Sequence, residues 1–268
     1  MQRSNSDGSI FELVLLLQSC EYPRMQKYKQ YCPVSRAAEI VAERWTPLIV
    51  RELMLGSHRF NEIERGLPGI SRSLLASRLR DLQDAGIVER MTAAHAKTAE
   101  YHLTDAGREL KTVIETLGAW GVRWAFGEPR LEDLDAGLLV WKIHQRINRE
   151  LLPQRRTVVE FDFTGPHGRR VWLLLDSREV SVCVTPPGFD SDLVVRADLA
   201  LFYRIWLGEI EYDAALRCGT IVVDGPPALA KQLPRWFMWS PMARFVRERD
   251  RGLPPSRTAL ASGERRVS

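Results

Sequence analysis

The chain has 268 residues, 45% of them hydrophobic and 27% charged, which suits two compact domains of an ordinary globular protein. No apolar run approaches the roughly 20 residues of a membrane helix, so a helical membrane protein is excluded. A formal charge of +4 allows a nucleic-acid partner without requiring one.

Residues 1–27 read as a flexible extension. The stretch 10–17 ahead of Cys20 imitates a secretion signal, but it is short, holds Glu12 and lacks a basic leader, which argues against export. Met25 stands just before the first patterned segment, so residues 1–24 are either the product of an early start or a flexible arm. Cys20, Cys32, Cys183 and Cys218 show no CxxC spacing. They suggest neither a zinc site nor a disulfide framework, and point to a reducing, cytoplasmic setting.

Ser35 is expected to cap a short helix bearing Ala38, Val41 and Trp45. Thr46 is expected to cap a second, which opens on Pro47, carries Ile49 and Leu53 on one face and stops at Gly56. Phe60, Ile63 and Leu67 mark a third, closed by Pro68-Gly69. A fourth runs from Ser71 to Gly86, with Leu75, Leu79 and Leu82 facing one core. Ser73, Ser77 and Arg80 fall on the opposite side, flanked by Arg72 and Arg78. Between Arg44 and Arg80 lie seven arginines against Glu52, Glu62 and Glu64. A small, polar, cationic helix face of this kind suits a major groove, where arginine donates two bonds to guanine and serine reaches phosphates or base edges.

Residues 87–91 and 99–103 have strand composition and flank a seven-residue tip, giving a β-wing. Its tip offers His95 and Lys97 to a phosphate or minor groove, while Tyr101 and Leu103 point to the core. Thr104 caps a long helix whose Leu110, Ile114, Leu117, Trp120 and Trp124 exceed what one small domain covers, which suggests a two-fold dimer contact. The same order of elements also suits a winged helix that binds only protein.

Several ordered pieces resemble the HxlR family of bacterial regulators over about residues 28–125. They are Tyr31-Cys32-Pro33-Val34, Glu43-Arg44-Trp45-Thr46, Arg59-Phe60-Asn61-Glu62-Ile63, Leu67-Pro68-Gly69-Ile70-Ser71, Leu75 with Arg78-Leu79, and Tyr101-His102-Leu103-Thr104-Asp105-Ala106-Gly107. The resemblance implies a homodimer joined through its terminal helices, with paired reading helices in successive major grooves of double-stranded DNA. On matching positions it makes Ser71, Arg72, Ser73, Ser77 and Arg78 the DNA readers and Arg59 a phosphate contact. The wing departs from the family, which commonly has prolines before the second strand where this chain has His95-Ala96-Lys97-Thr98-Ala99, and that bears on Lys97. Each cation also has a plain structural reading: Arg78 paired with Asp81 or Asp84, and Arg59 with Glu62 or Glu64, as surface ion pairs.

After Phe126-Gly127-Glu128-Pro129 the pattern changes. A helix-like segment at 132–150 leads into expected strands at 158–163, 170–176 and 179–185, then a strand at 192–196, a helix with Leu199, Phe202, Tyr203, Trp206 and Leu207, and a strand at 220–223. Leu233 to Trp239 is an aromatic run. This half resembles the sterol carrier protein type 2 fold in Val194-Val195-Arg196-Ala197-Asp198-Leu199, Leu207-Gly208-Glu209, Ala214-Ala215-Leu216-Arg217-Cys218-Gly219 and Ile221-Val222-Val223-Asp224-Gly225. The resemblance implies an open α+β sheet with an apolar tunnel for a lipid-like or aromatic ligand. The alternative is that Trp206, Trp236, Phe237 and Trp239 only fill a core or a dimer interface. The last stretch, from residue 246, carries Arg247, Arg249, Arg251, Arg257, Arg265 and Arg266 and reads as a solvated tail.

The whole is therefore an α+β protein: an extension at 1–27, a winged helix-turn-helix DNA-binding and dimerisation domain at 28–127, a smaller sterol-carrier-like ligand domain at 128–245 and a basic tail at 246–268. Five histidines without ligand spacing, and no nucleophile elbow or phosphate loop, give no support for catalysis, a metal or a cofactor. Cys32 stands apart, because it precedes a helix start with Lys27, Lys29 and Arg36 nearby, surroundings that favour a thiolate. Two functions compete. One is a dimeric, repressing regulator on an inverted-repeat operator that answers to a small apolar effector, or to oxidation of Cys32. The other is a hydrophobic-ligand carrier or sensor whose winged helix serves dimerisation or protein partners.

Overall fold

The computed structural model describes residues 28–92 and 98–252. The expectations for His95 and Lys97 at the wing tip, for residues 1–27 and for the chain beyond 252 lie outside the described residues.

The first unit opens with α1 (Pro33–Val41) and α2 (Thr46–Met54). Both start where proline occupies the first turn and its missing N–H costs nothing. The caps differ from expectation. Cys32, not Ser35, is the N-cap of α1, and Trp45, not Thr46, is that of α2, with a left-handed φ of 79°. Next come α3 (Phe60–Arg65) and α4 (Arg72–Asp84), the latter capped by Ser71, whose Oγ accepts the Leu74 N–H at 3.2 Å. The antiparallel wing of β1 (Val88–Met91) and β2 (Glu100–Leu103) pairs Val88 with Leu103 and Met91 with Glu100. Thr104 then caps α5 (Asp105–Trp124) through the Gly107 N–H. Gly107 is required there, since a Cβ would collide with the Ile87 carbonyl. Ile49, Val50, Leu53, Ile63, Leu75, Leu79 and Leu82 form the buried centre, so the three leucines of α4 face inward as their spacing predicts.

In the second unit the expected long helix is shorter, reduced to α6 (Ala136–His144) between 3-10 turns at Leu131–Asp133 and Arg149–Leu151. The sheet comprises β3 (Thr157–Thr164), β4 (Arg170–Leu175), β5 (Val180–Cys183), β6 (Leu193–Asp198) and β7 (Ile221–Asp224), in the order β5-β4-β3-β6-β7. Only β3 and β6 run parallel; the other neighbours are antiparallel. Helices α7 (Leu199–Trp206), α8 (Tyr212–Arg217), α9 (Pro227–Trp236) and α10 (Ala243–Gly252) complete it. One sheet face is filled by Phe161, Phe163, Phe202, Trp236 and Phe237 in mutual ring contact or shared burial. Across the strands on the other face, Arg170 pairs with Glu160 at 3.5 Å and Arg196 with Asp162 at 3.6 Å.

Of the aromatic run 233–239, Leu233, Trp236 and Phe237 are buried in the core, whereas Trp239 is half-buried and lines one of two clefts of about 290 Å³ each. The first cleft is lined by Ile205, Tyr212, Asp213, Arg235, Trp239 and Arg247 among others, a mixture of apolar and charged groups. The expected tail at 246 is helical through Gly252, and Val246 is fully buried, because α10 packs on α5: Arg244 meets Glu115 at 3.0 Å and Met242 lies against Gly118. Among the described residues no helix is long and apolar enough to cross a membrane.

Candidate nucleic-acid interface

The start of α4 follows the turn Gly66–Ile70 and carries Ser71, Arg72 and Ser73, all exposed. Ser71 and Ser73 hydroxyls lie 3.2 Å apart. Arg72 is laid flat rather than free: its guanidinium sits 4.8 Å above the Phe60 ring, bonds Glu64, and donates to Asn61 Oδ1 at 3.1 Å. With 64% of its side chain exposed, Arg72 loses only a few tenths of a kcal/mol when that ion pair is exchanged for a phosphate or a guanine. The contact pre-orders the fork without burying it.

Arg78, expected among the DNA readers, is mostly covered. Only 12% of its side chain is exposed; it reaches Glu43 at 2.8 Å and Asp81 at 3.2 Å, and its Nε is buried without a partner. The sequence foresaw the Asp81 pairing but not Glu43, which arrives from the turn between α1 and α2. Arg78 is a brace between those helices and α4. We expect Arg78→Ala to lower stability by about 1–3 kcal/mol, because Glu43 and Asp81 lose their counter-charge in a half-buried setting. Urea unfolding checks this, and an unchanged midpoint refutes it.

Ser77 is half-buried on the same helix, one turn beyond Ser73. Arg80, on the expected solvent face, is exposed and makes no ion pair among the described residues; Arg90 on β1 is likewise exposed. Periodicity placed Arg80 there and Arg78 at the flank, and the ion pairs of Arg78 then account for its burial. Arg59 is the N-cap of α3, and its side chain reaches Glu100 on β2 at 3.5 Å, not Glu62 or Glu64. The adjacent His58 stacks on His102 at 4.2 Å and accepts the Tyr101 N–H on its carbonyl at 2.7 Å, so the wing is tied to the start of α3.

Cys32 is half-buried at the start of α1. The amides of Ser35 and Val34, and the Ser35 hydroxyl, hold its thiol below the ordinary range. The cause is the helix start rather than the neighbouring cations, since Arg36 pairs with Glu39 at 3.2 Å. On α5, Val113, Leu117, Trp120 and Trp124 stand about half exposed at helical spacing and form an apolar stripe.

The model of the HxlR-like helix-turn-helix family matches residues 40–128. Over 97 residues the chain is 37% identical to the HTH-type transcriptional regulator YvaP of Bacillus subtilis, covering 35% of this chain and 90% of that protein. Over 89 residues it is 46% identical to the HTH-type transcriptional regulator Rv3095 of Mycobacterium tuberculosis, covering 33% of this chain and 56% of that protein, about half its length. Among solved structures, the reduced form of the transcriptional regulator YodB from B. subtilis is 35% identical, covers 36% of this chain and 96% of that one, and superposes with a TM-score of 0.33.

Proposed function

This chain belongs to the HxlR-like helix-turn-helix family of transcriptional regulators, and from that premise we propose that it is a homodimeric repressor that reads an inverted-repeat operator in double-stranded DNA through α4. One observation carries the reading. The leucine side of α4 is wholly buried, while Ser71, Arg72, Ser73 and Arg80 remain on its open side. Ser77 and Arg59 extend this face, and Arg78 acts indirectly by holding it in place. The wing, whose sequence between the strands includes Lys97, is the expected second contact.

Dimerisation through α5 is supported by the stripe of Val113, Leu117, Trp120 and Trp124. The second unit, read as a sterol-carrier-like domain at 128–245, is the sensing half. Its open mixed sheet accords with that fold, and its cleft beside Trp239 suits a small ligand with an apolar body. Helix α10 lines that cleft through Ala243 and Arg247 and also abuts α5, which gives ligand binding a physical route to the dimer contact.

Selection from random duplexes tests the proposal. An enriched inverted repeat, bound with an affinity that falls steeply as salt rises, is the expected result. Failure to enrich any duplex, or binding indifferent to salt, favours the carrier reading instead.

The depressed thiol of Cys32 favours a second input, oxidation. On that reading peroxide releases operator DNA from the native chain at least tenfold more readily than from Cys32→Ser. Gel retardation of both chains across a peroxide series checks it, and equal release ends the redox reading.

A further inference from the structure

Helix α6 of the second unit carries Lys142, and is capped at its end by Gln145, just where α2 of the first carries Glu52. The Glu52 carboxylate is fully buried. It accepts from Lys142 Nζ, from Gln145 Nε2 at 2.8 Å, and from its neighbour Arg51 at 2.8 and 3.0 Å. Gln145 Nε2 also bonds the Ser57 hydroxyl at 2.7 Å, and Lys142 Nζ lies 3.4 Å from the Gly66 carbonyl. The carboxylate presses so closely on Gly66 that a Cβ there would collide with it. A second grip lies alongside: the Arg65 guanidinium covers the Trp141 ring at 4.7 Å and donates to the Val182 carbonyl at 3.2 Å.

Both grips fall on the residues from which the reading helix departs. Arg65 ends α3, Gly66 opens the turn, and Ser71 caps α4 five residues later. A buried charge set of this kind is a poor stabiliser, because desolvating the ions offsets most of their attraction, and apolar residues of equal size often serve as well. Its best-attested use is to select one arrangement of two packed elements, since any shift leaves a charge buried and unpaired.

We infer that Glu52 and Lys142 are a positioning pair through which the second unit sets the orientation of the helix-turn-helix, so that operator affinity depends on a domain remote from the reading face. The inference rests on the regulator reading for its DNA readout. Facing Lys142 are Glu52 and Arg51 from α2, the Gly66 carbonyl from the end of α3, and nearby Gln145 from the turn after its own helix. Burial pushes its ammonium down from the usual 10.5 to about 8 against the pull of Glu52. The docked form thus sheds a proton that the separated form keeps between those values. Docking strengthens as pH rises through that window, and the full cost of the buried ammonium is present below pH 8.

Three full-length chains test this: native, Lys142→Met and Lys142→Arg. Amide hydrogen exchange over residues 64–75 reads the orientation without DNA, and fluorescence anisotropy on the selected duplex reads affinity between pH 7 and 9.5. With Lys142→Met we expect exchange at least tenfold faster there, operator affinity at least fivefold weaker at pH 7.5, and an unaltered circular dichroism spectrum. Lys142→Arg restores neutral-pH affinity, and because an arginine keeps its charge it removes the rise above pH 8 expected of the native chain. Should Lys142→Met fail to fold, Gln145→Leu removes the bonds to Glu52 and Ser57 and shifts exchange in the same direction by a smaller factor. Native exchange and affinity in Lys142→Met, or a native pH step in Lys142→Arg, overturns the inference. A native chain that enriches no duplex overturns the regulator reading, and the exchange measurement then judges the positioning pair alone.

Discussion

In the homodimer proposed above, Trp120→Glu is expected to give a monomer and to weaken operator binding by at least a hundredfold. On α5, Val113, Leu117, Trp120 and Trp124 leave about half their surface open, whereas Ile114 and Val122 on the other side are buried and Gly118 is covered by Met242. A two-fold contact lays this stripe against its own copy, so each residue is buried twice. The open half of a tryptophan removes on the order of 100 Å² from water, at about 25 cal/mol per Å², so two copies contribute roughly 5 kcal/mol to association. A carboxylate there loses that burial and adds a charge that must be desolvated or neutralised. Two reading heads joined in one molecule bind two half-sites with an avidity that exceeds one head by ~10²–10⁴, and a monomer forfeits it. Sedimentation equilibrium reads the assembly and fluorescence anisotropy the affinity, with Trp120→Phe as the control that keeps both. A Trp120→Glu chain that stays dimeric and binds its operator normally removes α5 from the interface.

Arg72→Ala carries the second large effect: operator affinity falls ~10–100-fold, the range for losing one good arginine contact, while the thermal midpoint stays put. Its ion pair with Glu64 is exposed and its stacking on Phe60 is a surface contact, so neither supports the core. Arg78→Ala behaves in the opposite way, with stability falling first and affinity following as α4 loosens. Arg72→Lys separates two roles for the fork. A base contact to guanine is not rescued by lysine, and specificity relaxes at one position; a phosphate contact is largely rescued, and loss is uniform across sequences. Undiminished binding by Arg72→Ala at several salt concentrations moves the reading face elsewhere and revives the carrier function.

The winged helix was legible in the sequence because its signals are local. Ser71 ahead of a run with leucines at 75, 79 and 82 fixes both where α4 starts and which side is hidden, and Thr104 does the same for α5. Trp45 shows where local rules stop. Ser, Thr and Asp are the favoured caps, so Thr46 drew the assignment, yet the chain turns into α2 through a tryptophan in a left-handed conformation. In the second unit the alternation in β3 and β4 gave strands within a residue or two. The breaks around α6 were hidden inside a stretch that is apolar enough to read as one helix.

The sequence by itself determined the helix order, the buried side of α4, the wing and the apolar excess on α5, since each follows from spacing along one element and from the turn chemistry at its ends. Tertiary structure alone decided which cations stay open to solvent and which are spent on the protein. Arg78 and Arg80 share one helix and one charge, and spacing puts Arg78 only at the flank of the open face, but that Glu43 would reach across and cover it was not written in the spacing. Likewise Glu52 meets Lys142 across 90 positions of chain. Periodicity states which side of a helix is covered, but the partner that covers it, and therefore the charge it meets there, depends on how distant elements pack.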